Sequence, residues 1–410
     1  MPHPLRQRNF RLLFAGRVVD ELGDAVSPAA LTLAMVTATH SSAGLAVVLA
    51  SGLLPRVALL PLGGVAADRL GARRVALVAD VVSAAARLAI GLLLLTGNLS
   101  AAPIAVAAAV GGAASAFSMP ATMPLVAGTV DEGGRQAANS LMGVAGSATS
   151  LAGPALAGVL IFTAGAGWAF ILDAASFAVS AATLAVIRVR RVEVPRQSLR
   201  SDLVAGWAQV RARPWYWTSL IGHGTWNFAS GMLATAGPLI AITEFGGKGA
   251  WLAALQASAI GYLAGAIIAG RVRVRRPVLV VDLILATFAL PLIAFGVAAP
   301  AWLAVLAYGL ASACLGFSNP VWETIVQQEI PAEVLARVTA YDWLVSLAAM
   351  PLGYALAPVL TRSLGFTWPL AVTAALVVIA LLVPASLPAV RAVRPRSALG
   401  AREQATSSVP

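Results

Sequence analysis

Four ionisable side chains crowd into eight consecutive residues of an otherwise apolar segment: Arg17, Asp20, Glu21 and Asp24. On a helix, Arg17, Asp20 and Asp24 fall on one stripe, with Glu21 on its flank. Arg56 and Arg87 stand alone inside further apolar runs. Carboxylates gathered in low dielectric cannot all stay ionised. A carboxyl that takes and releases a proton is a carrier, so Asp24 or Asp20, with Glu21 third, is the expected proton-coupling group. Arg56 and Arg87 are the expected counter-ions, with Arg17 one turn before Asp20. A fixed ion network that only ties the first three helices together is the alternative.

The elements that must hold these charges are read from composition. Of the 410 residues, 59% are hydrophobic and 11% charged, against about 25% charged in a soluble domain, and mean hydropathy is +0.84. Apolar stretches long enough to cross a bilayer are expected at 10–37, 42–67, 75–97, 101–128, 140–164, 167–187, 215–242, 251–270, 277–298, 301–327, 338–360 and 367–387. Eleven or thirteen spans remain open if one segment is re-entrant. The fold expected is an all-α integral membrane protein of twelve helices in two parallel six-helix repeats.

The positive balance of 28 Lys and Arg against 17 Asp and Glu does not point to nucleic acid, because of its placement. Twenty-three basic residues sit in the termini and in alternate connections, and the intervening connections hold only Lys248 and Arg362. Basic connections stay inside, so both termini are expected in the cytoplasm of a cell whose inner membrane holds the chain. No cleavable leader is expected at the N-terminus. The lone Cys314 excludes a disulfide framework and a multi-cysteine metal site.

At 1.5 Å per residue, Asp20 to Asp24 come about 15–20 Å from the cytoplasmic end of their span, Arg56 about 18 Å and Arg87 about 20 Å. These groups are therefore expected to meet near the membrane midplane, where buried charges face a cavity or one another.

The chain repeats itself. AFSMP at 116–120 returns as GFSNP at 316–320, and RRVALVAD ending at Asp80 returns as RRPVLVVD ending at Asp282. The common offset of 200 to 202 residues implies a tandem duplication with parallel halves. The expected division is a bundle over 1–187, a linker over 188–214, a bundle over 215–387 and a cytoplasmic tail without structure over 388–410. In the linker, Ser201, Leu203, Val204, Trp207 and Val210 suggest a short interfacial amphipathic helix.

Residues 64–77, GVAADRLGARRVAL, resemble the loop between the second and third helices of the major facilitator superfamily. Gly64, Asp68, Arg69, Gly71, Arg73 and Arg74 fall in its pattern. NFRLLFAG, the Asp80 and Arg87 pair, FSMPA, AANSL and LDAASF are similar to the branch that holds macrolide-efflux proteins and the enterobactin exporter. The resemblance implies a cytoplasmic gating loop at 64–74. It also implies an antiporter-type helix bend at Gly153, Pro154 and Gly158, although Ala157 departs from that signature. The arginine that many drug antiporters carry in the fourth helix is absent from 101–128, which moves attention to the arginines elsewhere.

With Gly16 matched to Gly222, the first-helix charges correspond to Trp226, Asn227 and Ser230, near His223. One half then offers charge and the other an aromatic, hydrogen-bonding wall, extended by Trp322, Tyr341 and Trp343 unless these form an interfacial belt. His223 reads first as a packing residue. Asp80 and Asp282 read as braces for the loops, and Asp173, Glu323 and Asp342 as solvated groups near helix ends.

The function expected is a secondary active transporter, a proton-coupled exporter of bulky amphipathic molecules such as drugs, siderophores or secondary metabolites. A facilitator or importer of a polar solute is the alternative, and a non-transporting scaffold a more remote one. No HExxH, GxSxG or Walker pattern is present, so no enzyme, cofactor or metal is expected. The partners are a small substrate, protons and lipid, with no nucleic acid, and the chain is expected to be a monomer.

Overall fold

A chain this apolar must satisfy its backbone hydrogen bonds within each crossing segment, which a helix does. The computed structural model describes residues 4–39, 42–97, 99–131, 135–189, 207–330, 338, 341–342, 344–346 and 348–394. Among them every regular element is helical. The chain divides into two units, 1–195 and 196–410.

In the first unit a 3-10 turn, Pro4–Arg6, leads into α1 Arg8–Thr39, α2 Ser42–Leu70, α3 Ala72–Leu95, α4 Ala101–Thr129, α5 Arg135–Thr163 and α6 Ala166–Val186. Here α2 packs along α4, α3 along α4 and α6, and α1 along α5 and α6. The second unit contains α7 Pro214–Thr243 and α8 Lys248–Ala269. Next come α9 Pro277–Leu285 and α10 Ala289–Gly296, joined by a 3-10 turn into one span, then α11 Ala301–Glu329, α12 Met350–Leu364, α13 Thr367–Ser386 and α14 Pro388–Ala392. In it α8 packs along α11, and α7 along α12 and α13.

Among the described residues ten helices are long and apolar enough to cross a membrane. The two further long helices, α1 and α7, have 32 and 30 residues, a length that suffices for crossing, and carry the polar side chains discussed below. Large apolar side chains remain exposed along the helices, Val106 at 65% and Val359 at 63% among them, a surface suited to lipid rather than water. The chain is a multi-pass membrane protein.

The duplication is visible in how helices touch. The fourth helix of each half has 29 residues, and α4 and α11 begin 200 positions apart. A Cβ on Gly112 would stand 1.9 Å from the Gly52 carbonyl of α2, and one on Gly63 2.0 Å from the Ala116 carbonyl of α4. In the second unit, a Cβ on Gly265 would stand 1.9 Å from the Ala313 carbonyl, and one on Gly316 2.0 Å from the Tyr262 carbonyl. Both seams are therefore backbone against backbone, as small residues permit in membranes.

Of the linker helix, 207–211 is helical, with Val210 buried and Trp207 exposed. Ser201, Leu203 and Val204 lie outside the described residues. The tail expected to lack structure instead begins with α14, whose Val390 is fully buried; an apolar residue that can reach a core keeps the chain ordered. Residues 395–410 lie outside the described residues.

Candidate functional site

Two contacts bring α1 against α6. A Cβ on Gly16 would overlap the Thr183 hydroxyl, and one on Gly23 would stand 2.8 Å from an oxygen of Asp173. This approach carries the α1 stripe to partners on three other helices. Arg17 pairs with Asp20 at 3.0 Å and donates to the Thr122 hydroxyl of α4 at 2.5 Å. Arg87 of α3 reaches Asp24 through Nη2 and Asp173 through Nε, both at 3.1 Å. Ser27 of α1 donates to the same Asp173 oxygen. Arg87 also lies over the Phe177 ring, 6.0 Å from its centroid.

Exposure grades along this chain of charges. The Asp24 side chain is 50% exposed, Arg87 25% and Asp173 0%. One guanidinium thus serves two carboxylates, one reachable from outside and one sealed. Among the described residues, buried Asp20 Oδ1 and Glu21 Oε2 accept no hydrogen bond. Glu21 lies against Gly146, and the neighbouring Thr149 hydroxyl is committed to the Gly146 carbonyl at 3.0 Å.

Arg56 does not join this group. It is exposed, and its Nη2 rests on the Met119 sulfur at 2.9 Å. Depth counted along a helix says nothing of the face on which a side chain emerges, and α2 turns this one away from the carboxylates of α1. In this unit the residue missed from sequence is Asp173. Far from being solvated at a helix end, it is fully buried and pairs with Arg87. The signal that could have found it is Ser27 and Gly23, small residues on α1 that make room for a second helix.

Asp80 and Asp282 are braces, but of helices rather than loops. Asp80 is fully buried and accepts from Ser180 of α6 at 2.6 Å and Ser118 of α4 at 3.4 Å. Asp282, also fully buried, accepts from Ser219 of α7 at 3.1 Å. The repeat mate of Ser118, Ser318, bonds instead to the Cys314 carbonyl of its own helix at 2.7 Å.

The loop expected at 64–74 is nearly all helix, because α2 runs to Leu70 and α3 starts at Ala72; only Gly71 turns the chain, at φ +92, a left-handed conformation that glycine tolerates. Arg73 donates to the Leu184 carbonyl at 2.7 Å and to that of Ala185, at the C-terminal end of α6. A cation there offsets the exposed carbonyls, so Arg73 braces its own unit. Arg69 and Arg74 are exposed. The side chains of Gly64 and Asp68 lie outside the described residues. In α5 the helix runs on through Gly153, Pro154 and Gly158. A Cβ on Gly153 would come within 2.7 Å of the Ala25 carbonyl of α1, and Gly353 of α12 meets the Phe228 carbonyl of α7 in the same way. The glycine contact is thus common to both halves.

The second unit encloses a cavity of about 340 Å³. His223, Trp226 and Asn227 of α7 line it as expected, whereas Ser230 does not. Trp322 stands at its centre of packing, with Tyr216 stacked at 5.4 Å and His223 edge-on at 4.6 Å. Trp226 tilts against Phe288 at 4.7 Å. Asp342, read from sequence as a solvated group, orders this cluster. One of its oxygens accepts from Trp322 Nε1 at 2.7 Å and Tyr216 Oη at 3.0 Å, the other from Ser346 at 3.2 Å. The expected wall therefore includes Trp322, while Tyr341 packs on Trp207 at 5.6 Å and Trp343 lies outside the described residues. His223 Nε2 and Trp226 Nε1 are buried without hydrogen-bond partners among the described residues.

Residues 13–343 match the sequence profile of the Major Facilitator Superfamily. The chain is 26% identical over 359 residues to the multidrug efflux pump Tap of Mycolicibacterium fortuitum, covering 84% of this chain and 87% of that one. It is 30% identical over 208 residues to Tap of Mycobacterium tuberculosis, 49% of each chain. Among solved structures, a D-xylose-proton symporter matches with a TM-score of 0.70 at 14% identity, over 94% of this chain and 99% of that one. A POT family transporter in complex with 5-aminolevulinic acid matches with a TM-score of 0.72 at 12% identity, over 92% and 95%. At such identities the likeness is one of fold.

Proposed function

The chain belongs to the Major Facilitator Superfamily, and from that premise we propose that it is a proton-coupled exporter of bulky amphipathic small molecules. The observation that carries the reading is the imbalance inside the first unit. Asp20, Asp24 and Asp173 pair with two guanidiniums, those of Arg17 and Arg87, and Glu21 and Asp80 form no ion pair among the described residues. Carboxylates in such excess hold protons, and Asp24 is the member both half-exposed and sharing its arginine.

The proton carrier is Asp24 or Asp20, with Glu21 third, and Asp24 is the one of them that is half-exposed. When it is protonated, Arg87 keeps Asp173 as its counter-ion. When it is ionised, Arg87 bridges two carboxylates and the first unit carries one more negative charge. A substrate whose affinity differs between these two charge states is then linked to the proton, and linkage of that kind is what exchange requires. The likeness to Tap, named as an efflux pump, supports export. The placement of arginines supports cytoplasmic termini and an inner-membrane location, and the loop at 64–74 as a cytoplasmic gate. A monomer suffices, since every contact of the charged cluster lies within one unit.

The test is transport by the full chain in proteoliposomes with an imposed proton gradient, following ethidium as the probe. The expected result is gradient-driven movement that Asp24→Asn abolishes while leaving ethidium-for-ethidium exchange in place. Full coupled transport by Asp20→Asn, Glu21→Gln and Asp24→Asn alike would sink the relay. Efflux indifferent to collapse of the gradient would sink proton coupling itself.

A further inference from the structure

The cavity of the second unit differs from the charged cluster of the first in one chemical respect. Among the described residues its lining contains two ionisable acids, Glu323 and Asp342, and neither a lysine nor an arginine. Asp342 is oriented by three neutral donors, Trp322, Tyr216 and Ser346, and among the described residues it forms no ion pair. Glu323 is exposed, on the helix that carries Trp322. Two indoles, Trp226 and Trp322, form the apolar walls, and aromatic faces favour cations. In the first unit, by contrast, Asp20, Asp24 and Asp173 already have arginines.

We infer that this cavity is a binding site for a monovalent organic cation with an apolar, aromatic body, its charged end set at Glu323 and its body between Trp226 and Trp322. The inference deepens the exporter reading by naming the substrate class, and it divides the labour: protons at α1, cation at α7 and α11. The volume of about 340 Å³ lies in the range of small-molecule sites. Trp322 is held to Asp342 by its indole N–H, so the ring meets a ligand already oriented, and ordering it on binding has no further entropic cost.

The test uses two ions of one shape and opposite charge, tetraphenylphosphonium and tetraphenylborate, binding to the purified full chain at equilibrium without a gradient. The phosphonium is expected to bind saturably and at least about tenfold more tightly than the borate. Glu323→Gln is expected to remove about tenfold of that preference, and Glu323→Asp to restore part of it, with thermal stability checked for each. Equal affinity for the two ions, no saturable phosphonium binding, or an unchanged preference in a folded Glu323→Gln chain would overturn the assignment. The wild-type comparison stands even if a variant fails to fold. Phosphonium binding without gradient-driven transport would refute the exporter reading and leave this site standing. Gradient-driven transport by a protein that binds both ions equally would refute the cation site alone.

Discussion

Asp24 and Asp173 share one arginine but live in different media. Half of the Asp24 side chain is exposed and none of Asp173. Removing one partner of a buried pair leaves an uncompensated charge and costs about 3–5 kcal/mol, whereas an exposed pair contributes about 1 kcal/mol or less. Asp173→Ala is therefore expected to lower the melting temperature of the purified chain sharply, and Asp24→Asn to leave it nearly unchanged while altering transport. Equal melting shifts in the two variants would contradict this division. The stripe of Arg17, Asp20 and Asp24 was legible in the sequence because one helix sets it. Asp173 and Asp342 were not, because their partners come from elsewhere: Arg87 and Ser27 for one, Tyr216 and Trp322 for the other. The misplacement of Arg56 has the same root, since level along the helix axis is readable from residue count and azimuth relative to neighbours is not.

Helix identities and most boundaries follow from hydropathy, but helix ends owe their form to contacts. The C-terminal carbonyls of α6 at Leu184 and Ala185 are taken by Arg73, which belongs to the start of α3. Pattern reading placed Arg73 in a gating loop, and nothing in its spacing disclosed that it caps a helix over 110 residues away. A cation at a helix C-terminus contributes about 0.3–1 kcal/mol. Arg73→Ala is thus expected to fray the end of α6, seen as faster amide exchange over 184–188, with the melting temperature little changed. Arg73→Lys, which keeps the charge but loses the two-pronged fit, should restore protection in part. Unchanged exchange in Arg73→Ala would show that the cap is dispensable.

At the scale of the whole chain, duplication built two units with the same seams and different chemistry. Gly16 and Gly222 both sit at close contacts, yet the residues that follow are charged in α1 and aromatic or amide-bearing in α7. The arginine pattern predicts that reporters fused at residue 1 and at residue 410 report the cytoplasmic side, and that one inserted at Gly246, between α7 and α8, reports the opposite side. A cytoplasmic signal at Gly246 would break the predicted topology. The backbone-to-backbone seams at Gly63 and Gly112, and at Gly265 and Gly316, have a mechanical consequence. Surfaces joined without intervening side chains have no cushion to shear, so α2 with α4, and α8 with α11, act as doubled rods rather than as pairs of sliding cylinders. Whatever flexes as the protein works must be hinged beside these rods, not along them.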